Sequence, residues 1–159
     1  MPTSVRRLVT GHDAEARSVV RRDELLPPSE RNEAGVRFFK IWAAAASPAD
    51  VNDERDGALL PTGLAGDGTV VRVVDLGPGY RSPMHRTQSL DYGVVLEGEI
   101  DLELDDGSVT HLKAGDIVVQ RGTMHAWSNS GAGWSRMLFV LTAAHPAVVG
   151  GNPVPVTHR

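Results

Sequence analysis

Residues 79 to 129 read GYRSPMHRTQSLDYGVVLEGEIDLELDDGSVTHLKAGDIVVQRGTMHAWSN. Short apolar runs and turn signals alternate along this stretch at nearly regular spacing, the pattern of an all-β sandwich or barrel. Its clearest unit is Glu99 to Asp105, where Ile100, Leu102 and Leu104 share one face while Asp101, Glu103 and Asp105 share the other. That strand is therefore half exposed. Leu96-Glu97-Gly98-Glu99 and Asp105-Asp106-Gly107-Ser108 are the turns that join it to its neighbours. Further strands are predicted at Thr69 to Leu76, Tyr92 to Leu96, Ile117 to Gln120 and Trp134 to Leu141.

Outward from this core the signals weaken. Ser4 to Val9 and Arg17 to Arg22 are short β-prone runs separated by the turn-like GHDAEA, and Val36 to Ala43 is a bulkier third. Ala43 to Gly68 carries Pro48 and Pro61 with no sustained period, so it reads as a long loop of the kind that serves as a lid or binding loop; a turn of helix within Ala43 to Val51 is the alternative. The tail after Thr142 contains Pro146, Pro153 and Pro155, which cannot continue a central strand, and is expected to wrap the surface or reach a partner subunit. One domain is expected: residues 1–68 as N-terminal strands and loop packed on the barrel or on a partner, 69–142 as the barrel core, and 143–159 as an extended tail.

Composition narrows the function classes. With 16 Lys+Arg against 20 Asp+Glu the net charge is −4, and no basic run is dense enough to follow a phosphate backbone, so nucleic acid is not an expected partner. The Arg6-Arg7 and Arg17 to Arg22 cluster is interleaved with acids and reads as a solvated face. The absence of cysteine excludes disulfides, thiolate metal sites and a cysteine nucleophile, so any metal must be held by nitrogen and oxygen. No apolar segment approaches the roughly 20 residues that span a bilayer, and the start MPTSVRRLVTGHD lacks the apolar core of a signal peptide. A cytoplasmic protein with no membrane partner is the expectation.

Of six histidines, His12, His111, His145 and His158 lie in turn-like or tail segments and are expected in solvent. His85 and His125 lie among small and apolar residues, where an imidazole needs a partner: a hydrogen bond or a metal. Spacing alone leaves both open.

The stretch from Gly79 through His85 and Asp91 to Gly98 resembles the first motif of the cupin superfamily, in which a Gly precedes by six the first of two histidines spaced His-x-His, followed by a Glu and a closing Gly. Gly122, His125 and Asn129 similarly match the second motif. The resemblance implies a double-stranded β-helix, that is, a jelly-roll barrel, with N-terminal extension strands. It also implies a metal site within the barrel. This chain departs from the pattern: the second His is Thr87, the Glu is Asp91, and the Pro of the second motif is Arg121.

Carried over residue by residue, the resemblance leaves His85, Asp91 and His125 as ligands for a divalent ion, with Fe(II) favoured and Zn, Mn or Ni also compatible with such a set. Thr87 is then placed to bond a metal-bound water or substrate, and Gln88 to substitute with its amide oxygen. By strand parity Trp127 forms an apolar wall and Gly93 leaves room beside the metal. Tyr80, Arg81 and Arg121 are candidate proton donors or carboxylate clamps at the barrel mouth, with core packing or a rim position as the alternative for each. Phe38, Phe39 and Trp42 are expected in the core or a subunit interface.

The implied function is metal-dependent chemistry on a small oxygenated organic molecule. The donor count favours a non-haem-iron dioxygenase; the alternatives are a redox-neutral lyase, decarboxylase, dehydratase or isomerase, a non-catalytic binding module, and a degenerate site in which Thr87 marks a lost metal. The resemblance further implies a homodimer that pairs through Ser4 to Arg22.

Overall fold

A computed structural model describes residues 2–32, 35–60 and 67–158. The N-terminal segment forms a hairpin of β1 (Val5–His12) and β2 (Ser18–Leu26). Its turn is set by Asp13, whose Oδ1 accepts the backbone N–H groups of Glu15 at 3.0 Å and Arg17 at 2.9 Å, while Ala16 adopts φ 59°. Both strands run further than the predicted β-prone segments.

Two sheets follow, packed face to face. The larger takes the order β10 (Ile117–Arg121), β7 (Ser89–Glu97), β12 (Ser135–Ala143), β5 (Thr69–Leu76), β4 (Val36–Ala44) and β3 (Glu30–Asn32). The smaller pairs β6 (His85–Arg86), β11 (His125–Ser128), β8 (Glu99–Leu104) and β9 (Val109–Lys113), with Thr157–His158 added along β6. This is the all-β jelly roll that the sequence predicts. One boundary differs: β4 pairs with β5 from Val36↔Leu76 to Ala44↔Thr69, so the barrel sheet begins well before Thr69.

The core lies between the sheets. Val36, Val74, Leu76, Val95, Ile100, Leu102, Trp127, Met137, Phe139 and Leu141 form one cluster, and the Trp127 and Phe139 rings meet edge to face at 5.4 Å. On the opposite face of the larger sheet, the fully buried Asp75 carboxylate takes two bonds from Arg136, at 2.6 and 2.8 Å, which ties β5 to β12. The hairpin is anchored by Arg7, which donates to Asp56 at 2.7 and 2.8 Å, to Glu24, and to the Ile41 carbonyl of β4.

In the segment expected to be a long loop, the described part is irregular except for one 3-10 turn at Gly57–Leu59, capped by Asp56; Ala43 to Val51 contains no helix. Residues 61–66 of that expected lid lie outside the described residues. The tail forms a short hairpin of Val148–Val149 with Asn152–Pro153 and then returns to pair with β6.

Gly98 is the residue on which the β7–β8 turn depends. It has φ 78°, and a Cβ there would stand 2.7 Å from the Trp134 carbonyl oxygen. Gly98→Ala is expected to cost at least ~1–2 kcal/mol from the left-handed backbone alone. Urea denaturation checks this, with Gly107→Ala as a comparison, since a Cβ at Gly107 meets nothing within 4 Å.

Candidate functional site

Side chains alternate faces along a strand, so the cross-strand register decides what looks into the barrel. On the larger sheet one row runs Val70, Leu141, Asp91, Gln120 and the next runs Arg72, Phe139, Gly93, Val118. On the smaller sheet His85 and His125 face each other directly, and their ring centroids lie 4.3 Å apart. These rows close around a chamber of about 250 Å³ whose walls include Phe38, Val74, Leu76, Tyr80, Trp127, Phe139 and Leu141, with polar groups from Arg72, His85, Thr87, Asp91, Gln120 and His125. A few convergent polar groups in an apolar cavity of this size are the usual form of a small-molecule site. A roomier groove of about 560 Å³ lies between β1 and the segment after β4, but the charged side chains beside it, Arg7 and Asp53 with Arg55, are already paired.

The two imidazoles are held alike. His85 Nδ1 lies 2.9 Å from the Pro83 carbonyl and His125 Nδ1 lies 3.0 Å from the Thr123 carbonyl, so in each neutral ring Nδ1 carries the proton and Nε2 the lone pair. His125 is only 3% exposed, and burial pushes its pKa down to about 4, helped by the charges of His85 and Arg72 and opposed by the Thr123 bond. It is a neutral ring at physiological pH.

Asp91 is 5% exposed. Burial pushes its carboxyl up, against hydrogen bonds from Ser89 and Thr87 and the nearby charges of Arg72 and His85. Thr87 Oγ1 donates to Asp91 Oδ2 at 3.1 Å and accepts from Ser89 Oγ at 2.8 Å. Asp91 Oδ1 has no partner among the described residues, and neither has the buried Nε2 of Gln120 across the ladder. Both residues line the chamber.

Of the predicted site residues, the structure gathers Tyr80, His85, Thr87, Asp91, His125 and Trp127 around this chamber. It does not bring the others there. Arg81 turns outward and pairs with Glu103 at 2.7 Å, because its strand bridge to Ser128 sets it on the outer face. Arg121 and Gln88 are exposed and border a separate surface cleft with Arg86 and His145. Gly93 faces inward, but Phe139 fills the space: a Cβ at Gly93 would lie 3.2 Å from that ring.

The sequence reading missed Arg72, Gln120 and Phe38. Arg72 lies within a hydrophobic strand, yet register turns it inward, with its guanidinium 5.7 Å from the Phe38 ring centroid and 5.8 Å from that of Phe139. Parity was the available signal, since Gln120 stands opposite Asp91. The expectation of solvent exposure is met at His12, His111 and His145; the side chain of His158 lies outside the described residues.

A profile of the cupin domain matches residues 72–141. The chain is 44% identical to the phomopsin biosynthesis cluster protein C' of Diaporthe leptostromiformis over 92% of its own length and 82% of that protein's. It is 37% identical to the cupin-domain-containing oxidoreductase fogC of Aspergillus ruber, over 92% of this chain and 76% of that one. It belongs to the cupin superfamily. The fold agrees: a double-stranded β-helix protein from Klebsiella pneumoniae superposes with a TM-score of 0.54 at 22% identity, over 72% of this cupin and 83% of that chain.

The family's metal is tested against the residues present. Each imidazole holds its Nδ1 proton against a backbone carbonyl and presents Nε2 as the lone-pair atom, as metal-binding histidines do. No three His, Asp or Glu side chains among the described residues stand close enough together to form a ready ion cage, and Asp91 places Oδ2 on Thr87 while Oδ1 has no partner among those residues. Arg72 adds a fixed positive charge that acts on both Asp91 and His125. The three residues expected as ligands, His85, Asp91 and His125, line one chamber as an imidazole pair and a carboxylate that Thr87 holds by one oxygen.

Because His125 titrates lower in the folded chain than its ordinary 6.5, the unfolded chain binds the extra proton between these values. Stability is therefore full above about pH 6.5 and is lost as pH falls toward 4, by up to ~3 kcal/mol from this one ring. Urea denaturation from pH 7 to pH 4.5 should show this slope in the wild type and a flatter one in His125→Asn.

Proposed function

We propose that this cupin is a small-molecule biosynthetic enzyme that moves protons on an enolisable carbonyl compound held inside the barrel. The observation that carries the reading is the buried Asp91 carboxylate, with one oxygen fixed by Thr87 and the other without a partner among the described residues, inside an apolar chamber.

A carboxylate in this setting is a stronger base than one in water, because burial penalises its charge. Asp91 takes the proton from the carbon next to the carbonyl, leaving an enolate, and returns it to that same carbon, so the net change is redox-neutral exchange or inversion at that carbon. The negative charge that develops on the carbonyl oxygen is offset by the Arg72 guanidinium and by the Tyr80 hydroxyl, which burial keeps protonated. Neutral His125 offers Nε2 as an acceptor for a substrate hydroxyl. Phe38, Trp127 and Phe139 exclude water, which strengthens each of these electrostatic contacts. Relatives named for biosynthesis clusters support a small organic intermediate as substrate.

A second reading is iron-dependent oxidation, favoured by the imidazole pair at 4.3 Å and by relatives named as oxidoreductases. Two measurements separate the readings. Exchange of α-hydrogens of a ketone in deuterated water, followed by NMR under anaerobic, chelator-treated conditions, is expected for the wild type and should fall at least 100-fold in Asp91→Asn. Exchange that persists undiminished in Asp91→Asn would remove the carboxylate from the mechanism. Oxygen consumption that requires added Fe(II) would establish the second reading instead.

A further inference from the structure

The chamber contains a pair of buried polar atoms that the proton-transfer reading uses only in part. Asp91 and Gln120 are direct partners across β7 and β10, so their side chains leave the sheet side by side on the inner face. Asp91 is 5% and Gln120 3% exposed, and both line the cavity. Yet Asp91 Oδ1, an acceptor, and Gln120 Nε2, a donor, each lack a partner among the described residues. Two neighbouring groups of opposite hydrogen-bonding sense would satisfy one another if they were close enough. They make no such bond, so each is left for a ligand group to satisfy, since leaving either buried and unpaired costs roughly 1–3 kcal/mol.

We propose that Asp91 and Gln120 together recognise a vicinal hydroxy-carbonyl group, with the ligand's O–H donating to Asp91 Oδ1 and its C=O accepting from Gln120 Nε2. An α-hydroxyketone or α-hydroxy acid carries that donor and acceptor on one edge, matching the order of the two protein groups. The Arg72 side chain on the adjacent row adds positive charge near the same group, and the aromatic walls take an aryl or alkyl remainder. This rests on the proton-transfer reading for the identity of the ligand: the hydroxyl sits on the carbon that loses its proton, so the bond to Oδ1 also brings that C–H within reach of the carboxylate.

The test is calorimetric titration of resting protein with α-hydroxyacetophenone, α-methoxyacetophenone and acetophenone, which share a ring and a carbonyl but differ in the donor. The hydroxy compound is expected to bind the wild type at least tenfold more tightly than the methoxy compound. Asp91→Leu should reduce that preference to within twofold. Gln120→Leu should weaken the hydroxy and methoxy ketones equally, at least fivefold, and keep the preference. If Asp91→Leu does not fold, Asp91→Ala, which also removes the acceptor, replaces it, with the same loss of preference expected. Equal binding of the hydroxy and methoxy compounds by the wild type, binding of none of the three, or undiminished binding by Gln120→Leu overturns the proposal. Turnover is not needed for any of these readouts. Selectivity without α-hydrogen exchange would therefore overturn only the enzymatic reading, and exchange without selectivity only the recognition pair.

Discussion

The two-residue alternation of the antiparallel sheet is the constraint on which the rest of this molecule depends. Once Val94 pairs with Ile117 and Leu138 with Val94, every second residue of β5, β7, β10 and β12 is committed to the barrel interior. Most of those positions are filled by Val, Leu, Met and Phe, which make the core. Among the exceptions are Arg72, Asp91 and Gln120. A shift of one residue would turn these three to the opposite face and put Val71, Leu90 and Val119 in their places. Register is therefore the device that separates an inert barrel from a reactive one, and the Asp75 to Arg136 pair on the opposite face ties the strands on which it depends.

The cost of that arrangement is concentrated in a few atoms. His125 meets it by giving up its proton and bonding Nδ1 to a backbone carbonyl. Asp91 meets it halfway, through the Ser89–Thr87 hydroxyl chain. Gln120 Nε2 and Asp91 Oδ1 are left with no such compensation among the described residues. Buried polar groups without partners are uncommon in stable folds, and they collect where a ligand is meant to supply the missing bonds.

The fold was legible because its signals are local. Glycines in turns, the alternation of Glu99 to Leu104 and the spacing of His85 and His125 survive in one dimension. The smaller strands were not legible. β6 is two residues long, β11 is buried on both faces and so does not alternate, and β9 is an edge strand with one buried side chain. The site was half legible. Histidine and aspartate announce chemistry by type, whereas Arg72 and Gln120 acquire theirs only from the strand that pairs beside them. Arg81 and Arg121 misled for the same reason: a charged residue near a motif reads as functional until pairing turns it outward.

Thr87 gives the departure from the family pattern its physical content. An imidazole there would be the next inward residue from His85 and would bring a third nitrogen toward the pair. The hydroxyl instead donates to Asp91 Oδ2 and leaves Oδ1 without a partner among the described residues. Shortening the carboxylate from Glu to Asp acts in the same direction, since a shorter side chain stays against its own strand, opposite Gln120, and not out toward the two histidines. The two changes together leave a short carboxylate that is held by a hydroxyl on its own strand and stands across the ladder from Gln120. The carboxylate and the two imidazoles still line one chamber, so what Thr87 changes is the bond that one carboxylate oxygen already makes before any ligand enters.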